Sequence, residues 1–281
     1  MRSAIIIGCL VFLSQLGLSQ DKSPLDQNLR NGRMYIYWGW NFGWYSKSDI
    51  KFAGNDYEFA LKRVVANDRQ TKFALDPHLN PLKATIPQYN FRVGYYIKEH
   101  WDISFGIDHM KYVVQSDQVV KISGYIENTE TAYDGVYSDD DITIAEDFLL
   151  FEHTDGLNYA NIEVRRSDQL FDFNKVKINA TGGLGGGILI PKTNTTLLNK
   201  ERYDEFHLSG YGLNAVIGLN MTFFNAFFIQ SELRGGYINM PSIRTTISTD
   251  DSASQSFFFS QLNIVFGGVI NLNKKANTTI D

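Results

Sequence analysis

The chain is poor in cysteine, in proline and in long apolar runs, and each scarcity removes a class of protein. Of its 281 residues one is cysteine, Cys9, and six are proline. Cys9 lies in the segment 1–19, which has a basic Arg2, an apolar stretch over 4–13 and a small-x-small end at Gly17-Leu18-Ser19. That combination predicts a secretory signal peptide cleaved before Gln20. A mature chain without cysteine has no disulfide, no thiolate metal site and no thiol nucleophile. Past this segment no apolar run reaches the roughly 18 residues that a membrane helix needs. Basic blocks are missing too. Without Arg2 there remain 25 basic against 31 acidic residues, a net charge of −6, which argues against a nucleic-acid partner.

What is abundant is aromatic residues and glycine: 4 Trp, 15 Tyr, 20 Phe and 23 Gly. The stretch 33–45, RMYIYWGWNFGWY, alternates strictly. Met34, Ile36, Trp38, Trp40, Phe42 and Trp44 share one face, and Tyr35, Tyr37, Gly39, Asn41, Gly43 and Tyr45 share the other. Period two is a strand. One greasy aromatic face and one small, polar face suit a wall between lipid and a wet interior. The mean hydropathy of −0.22 fits such a wall, because inward polar residues and hydrophilic loops dilute the outward apolar ones.

The same alternation recurs over 89–98, 101–108, 157–169, 176–190, 211–221, 227–234 and 258–272, predicting eight strands. Short and long connections alternate between them. The longest are 46–87, rich in Asp, Asn, Lys and Pro, and 115–156, acidic around Asp139-Asp140-Asp141; shorter ones on the same side hold Lys192, Asn194 and Asp204, and Thr249-Asp250-Asp251. Strand-like pieces at Val119–Ile126 and 148–152 either extend the wall above the membrane or add a strand pair, so ten strands stay open. The expectation is an all-β, antiparallel, up-and-down transmembrane β-barrel over 20–281, a single domain with its long loops outside the cell. Trp38, Trp40, Trp44, Trp101, Phe105 and Phe266 are expected to face outer-membrane lipid. Arg166 falls on the same side and must lie near an interface, where its charge can snorkel.

An eight-stranded lumen is just wide enough to be filled by side chains. Arg92, Asp102, Asp108, Glu163, Arg165, Lys177, Glu232 and Arg234 point into it. Isolated ions there are costly, so these should pair into a plug with tyrosines. The same charges lining an ion path is the functional alternative.

The strand count, the alternating loops and the ending Gly267-Gly268-Val269-Ile270-Asn271-Leu272 resemble the OmpA-like and OmpW-like small outer-membrane barrels. That ending is similar to the signal read by the barrel assembly machinery, which closes on an aromatic where this chain has Leu272. The runs DHMKYVV and FEHTDGLN resemble uncharacterised outer-membrane proteins of Bacteroidota-type bacteria. The resemblance implies a location, not a chemistry.

Candidate chemistry is sparse. Residues 151–158, FEHTDGLN, distantly resemble outer-membrane lipid A deacylases, in which a histidine stands two before a nucleophilic serine. Here that position is Asp155, so His153 lacks its nucleophile, and the plainer reading is a Thr-Asp-Gly turn. His109, His153 and His207 with Asp108, Asp155 and Asp204 have no metal-ligand spacing, and no metal or cofactor is expected. Asp139 to Asp141 lack the spacing of a calcium loop. The glycines at 182–187 lie within a strand, where they relieve crowding or admit a bulky inward side chain; no phosphate-loop lysine follows. The leading reading is a non-enzymatic barrel whose long loops meet an unidentified surface partner. The alternatives are a small passive pore or transporter for apolar solutes, and a lipid A acyl hydrolase.

Overall fold

The computed structural model describes residues 30–72, 74–78 and 88–271. The expected signal peptide over 1–19 and Leu272 of the terminal motif lie outside them.

β1 (Arg33–Tyr45) sets the wall. Tyr35, Tyr37 and Asn41 are buried inward, while Ile36, Phe42 and Trp44 are exposed outward. β1 pairs antiparallel with β5 (Tyr89–Tyr96), and the ladder continues through β6 (Trp101–Val114), β9 (Leu149–Asp172), β10 (Val176–Leu189), β13 (Gly210–Phe223) and β14 (Phe227–Arg244) to β15 (Ser252–Asn271). β15 then pairs back onto β1 from Arg33↔Asn271 to Tyr45↔Phe259. The ring closes at eight strands, each paired with two neighbours, the closed arrangement that a strand-built wall needs to cross hydrocarbon. The ten-strand alternative is ruled out. The connections 97–100, 173–175 and 224–226 are short and lie at one end.

The strands outrun a bilayer. β9 has 24 residues, about 80 Å of chain at roughly 3.3 Å each, or about 55 Å of height at a barrel tilt near 45°, against a hydrocarbon core of about 30 Å. The excess stands at the long-connection end, and there the expected loops prove to be folded.

Residues 46–87 hold β2 (Ser48–Gly54), β3 (Tyr57–Val64) and β4 (Ala66–Asn67); 115–156 hold β7 (Val119–Ile126) and β8 (Gly135–Thr143). Both long segments therefore join one sheet, in the order β15–β2–β3–β7–β8. The connection 190–209 between β10 and β13 forms β11 (Lys192–Leu197) and β12 (Tyr203–Phe206) against the top of β9. The physical reason is that each piece alternates weakly alone. Ile50 and Phe52 in β2, and Tyr57, Phe59 and Leu61 in β3, are buried only because β7, β9 and β15 supply the facing surface.

These elements cover the barrel mouth with an apolar core. Phe52 stacks on Phe59 at 5.1 Å and meets Phe151 edge-on at 5.7 Å, and Phe59 lies 5.8 Å from Phe148. Below them Tyr112 stacks on Phe257 at 4.9 Å. The Thr-Asp-Gly segment is no turn. It is a bulge inside the continuous β9, where the register to β6 shifts between Met110↔Leu157 and Tyr112↔His153 and Gly156 takes φ +124°. Only glycine adopts that angle without strain.

Candidate functional site: the lumen and its closures

Alternation turns every second residue of eight strands into one narrow space. Between the short-turn rim and the apolar cap, three arginines and three carboxylates fill it. Glu163 of β9 accepts a hydrogen bond from Arg165 Nε at 2.6 Å and forms ion pairs with Arg92 Nη2 at 3.1 Å and Arg234 Nη2 at 3.0 Å. Glu232 of β14 takes Arg165 Nη1 at 2.6 Å and lies 3.6 Å from Arg234. Asp108 of β6 pairs with Arg234 Nη1. All six side chains are essentially out of contact with solvent. Their charges cancel, which is what keeps such a cluster tolerable away from water.

Neutral groups complete the network. Tyr37 Oη donates to Glu232 at 3.1 Å and accepts from Arg92 Nε and Arg165 Nη2 at 3.1 and 3.0 Å. Asn214 donates to Glu163 at 2.8 Å, Asn161 donates to Asp108 at 2.9 Å and accepts from Arg92 at 2.6 Å, and Ser104 accepts from Arg92 at 3.1 Å. Room for the arginines comes from glycine. A Cβ at Gly106 would lie 2.5 Å from Arg92 Nη2, and one at Gly183 would lie 2.7 Å from Arg165 Cγ. At Gly185 it would strike Glu163 Cγ. Each of these glycines stands directly opposite a charged residue on the neighbouring strand.

Two of the expected lumen residues stand apart. Lys177, one residue into β10, sits at the short-turn rim and pairs with Asp172 at 3.5 Å, because water reaches it there. Asp102, buried near the same end, is bonded by Tyr35 Oη at 2.7 Å instead of by an arginine. Arg30 crosses this mouth, donating to Ser167 O at 3.3 Å and to Asn179 Oδ1.

On the outside, Trp44, Trp101, Phe105 and Phe266 are exposed, and Trp38 and Trp40 are half-buried against each other at 5.2 Å. Arg166 lies near the short-turn rim, over the Trp101 ring at 5.9 Å and paired with Asp168 at 2.7 Å.

His153 points into the cap, not the lumen plug or the surface. Its Nδ1 meets Thr193 Oγ1 at 2.9 Å and its Nε2 meets Gln255 Nε2 at 3.3 Å, between the rings of Phe151 and Tyr112. Burial pushes its imidazole down to about 3. A fully enclosed, neutral imidazole on a threonine hydroxyl, with no carboxylate among these partners, cannot serve as the base of an exposed acyl-transfer site. His109 is elsewhere, stacked on Tyr89 at 5.0 Å, and among the described residues no group of three His, Cys, Asp or Glu gathers to hold a metal. Asp139 and Asp141 pair with Lys62 and Lys121 at 2.8 and 2.9 Å across β3, β7 and β8.

Fold and lumen together define an eight-stranded barrel filled by its own side chains, the architecture of small outer-membrane barrels. No protein-family model and no curated protein sequence matches the chain. Among solved structures it is similar to the outer membrane protein AlkL in lipid bilayers, at 10% identity over 92% of this chain and 99% of that one, with a TM-score of 0.40. It is similar to OprG from Pseudomonas aeruginosa at 9% identity, 88% and 99% coverage and a TM-score of 0.36. Ail from Yersinia pestis follows at 10%, 83%, 99% and 0.27.

Proposed function

We propose that this is a non-enzymatic barrel of the bacterial outer membrane, with a lumen closed to bulk flow and a folded cap that meets a surface partner. One observation carries the reading: the interior is blocked at two levels, by the neutralised arginine–carboxylate network and above it by the apolar core of the cap. A barrel so filled offers its outside. There the β7–β8 hairpin presents Val119, Tyr125 and Val136, with Val136 88% exposed opposite Tyr125. Apolar side chains this open, next to the Lys62–Asp139 and Lys121–Asp141 pairs, suit contact with a protein or glycan on the cell surface. The belt of Trp38, Trp40, Trp44, Trp101, Phe105 and Phe266 suits lipid, and the ending at 267–272 suits the assembly machinery.

A photo-crosslinking residue at Val136 in intact cells tests this. The expected result is a discrete adduct with a surface component from Val136, none from a probe at Asn225 in the opposite turn, and no steady conductance in planar bilayers. Steady conductance, or equal labelling at both positions, sinks the reading.

A further inference from the structure

The upper edge of the apolar wall carries aromatic rings on three adjoining strands: Trp44 of β1, Tyr237 of β14 and Phe258 of β15. Trp44 and Phe258 are exposed, and the rings of Tyr237 and Phe258 lie 5.2 Å apart. Ser256, Ser254 and Ser252 share the face of Phe258 on β15, so one outer surface passes from aromatic to hydroxyl as it climbs. Ser254 is four residues above Phe258, about 13 Å of strand or about 9 Å of height at a tilt near 45°. In a bilayer that is the level just above the hydrocarbon, where head groups lie.

There the outer face of β15, β2, β3 and β7 forms a trough. Strand register lays two rows across it: Ser252, Ala53, Glu58 and Tyr125 in one, Ser254, Lys51, Ala60 and Ser123 in the other. Alanine and serine keep the floor low, and a bulge raises each flank. In β14 the register to β15 shifts between Met240 and Ile243, which leaves Pro241 exposed at the rim. In β7 the register to β8 shifts between Ile122 and Ser123, and Gly124 takes φ +129° so close to β3 that a Cβ would strike Glu58 O. Between Pro241 and Tyr125 lies a cavity of about 530 Å³, within the range of about 300–1,000 Å³ for small-ligand clefts.

Lys51 and Glu58 stand diagonally across the floor. Among the described residues neither has an ion-pair partner, whereas Lys62 and Lys121 on the same sheet hold Asp139 and Asp141. The trough therefore offers one free cation, one free carboxylate, three hydroxyls and the Tyr125 ring, with no net charge. A hexose matches that set, because its hydroxyls both donate and accept and its C–H face can lie on a ring. The floor is a sheet face whose backbone groups are already paired, so a peptide strand laid there would gain no ladder.

We propose that this trough holds the neutral sugars of a glycolipid in the outer leaflet, whose acyl chains lie against the aromatic edge below. The assignment rests on the outer-membrane placement proposed above and is independent of what Val136 meets.

The test is binding to the full refolded protein in nonionic micelles, counted by native mass spectrometry. The probes are dephosphorylated rough lipopolysaccharide, which carries core sugars, dephosphorylated lipid A, which carries none of them, and the free core oligosaccharide. Lipopolysaccharide should bind at least about tenfold tighter than lipid A. Ala60→Trp fills the floor and should erase that difference, and Tyr125→Ala and Lys51→Ala should each reduce it by about three- to tenfold. The free oligosaccharide, without acyl chains to anchor it, should bind about a hundredfold more weakly than lipopolysaccharide. Equal binding of lipopolysaccharide and lipid A overturns the sugar site. A difference that survives Ala60→Trp overturns its place in the trough, and free oligosaccharide bound as tightly as lipopolysaccharide overturns the membrane source. Heat-modifiable mobility reports folding, and Ser254→Trp repeats the filling should Ala60→Trp not fold. The Val136 adduct should persist in Ala60→Trp; its loss together with sugar binding would overturn the independence of the two sites.

Discussion

Glu163→Gln tests the lumen network at its centre. Glu163 receives all three lumen arginines at 2.6–3.1 Å and is fully buried. The substitution keeps shape and volume but removes one of three negative charges and turns an amide N–H toward guanidinium donors. Removing one member of a buried, hydrogen-bonded ion network costs about 3–5 kcal/mol, since the partner charges stay buried. In urea, at an m-value of about 2 kcal/mol/M, that lowers the unfolding midpoint by about 2 M. Tryptophan emission in detergent micelles or thin bilayers reads it directly. The double variant Arg92→Gln/Glu163→Gln restores neutrality and should cost at least about 1 kcal/mol less than the two singles together. A loss below about 1 kcal/mol for Glu163→Gln, or strict additivity, would refute the view that these charges hold one another in place.

Further outcomes follow from other parts of the molecule. His153 has its folded pKa, about 3, below the ordinary 6.5, so an unfolded cap binds the extra proton first and stability is full above pH 6.5. Between pH 7 and 5 the cap should lose about 2 kcal/mol, measured as protease sensitivity of residues 46–67, and His153→Gln should flatten that dependence. Phe59→Ala, at the centre of the cap core, should cost about 3–5 kcal/mol of cap stability while heat-modifiable mobility is retained. Gly183→Val should displace Arg165 and lower the urea midpoint of the barrel, whereas Gly182→Val, whose Cβ would meet nothing nearer than Val216 O at 3.8 Å, should leave it nearly unchanged. Ile217→Arg, exposed midway along β13, should cost about 2–4 kcal/mol in bilayers, against about 0–1 for Trp101→Arg at the rim.

The wall was legible because an apolar outer face and a polar lumen leave a period of two in the residues themselves. β1 and β7 begin and end where their alternation does. The cap was not legible, because its two faces come from distant segments. In β2, Ile50 and Phe52 alternate with Asp49, Lys51 and Ala53, which alone reads as a polar loop. Asn55-Asp56, between Gly54 and Tyr57, forms the two-residue turn of the β2–β3 hairpin. For the lumen, inward charge could be read from strand parity, which placed Arg92, Glu163, Arg165, Glu232, Arg234 and Asp108 on one surface. Height along the barrel could not, so strand parity alone does not separate Lys177 at the rim or Asp102 beside Tyr35 from them. Tyr37 as the hub, and Gly106 and Gly183 as the space beside the arginines, depend on which residues stand opposite across strands, and that needs the register.

The most direct measurement uses the four tryptophans, Trp38, Trp40, Trp44 and Trp101, which are all the chain has and all lie on the outer wall. Reconstituted with lipids brominated midway along the acyl chain, the protein should show strong quenching of their emission, because bromine in the hydrocarbon touches the rings. Unquenched emission from protein that stays dissolved without detergent would contradict a wall that faces lipid.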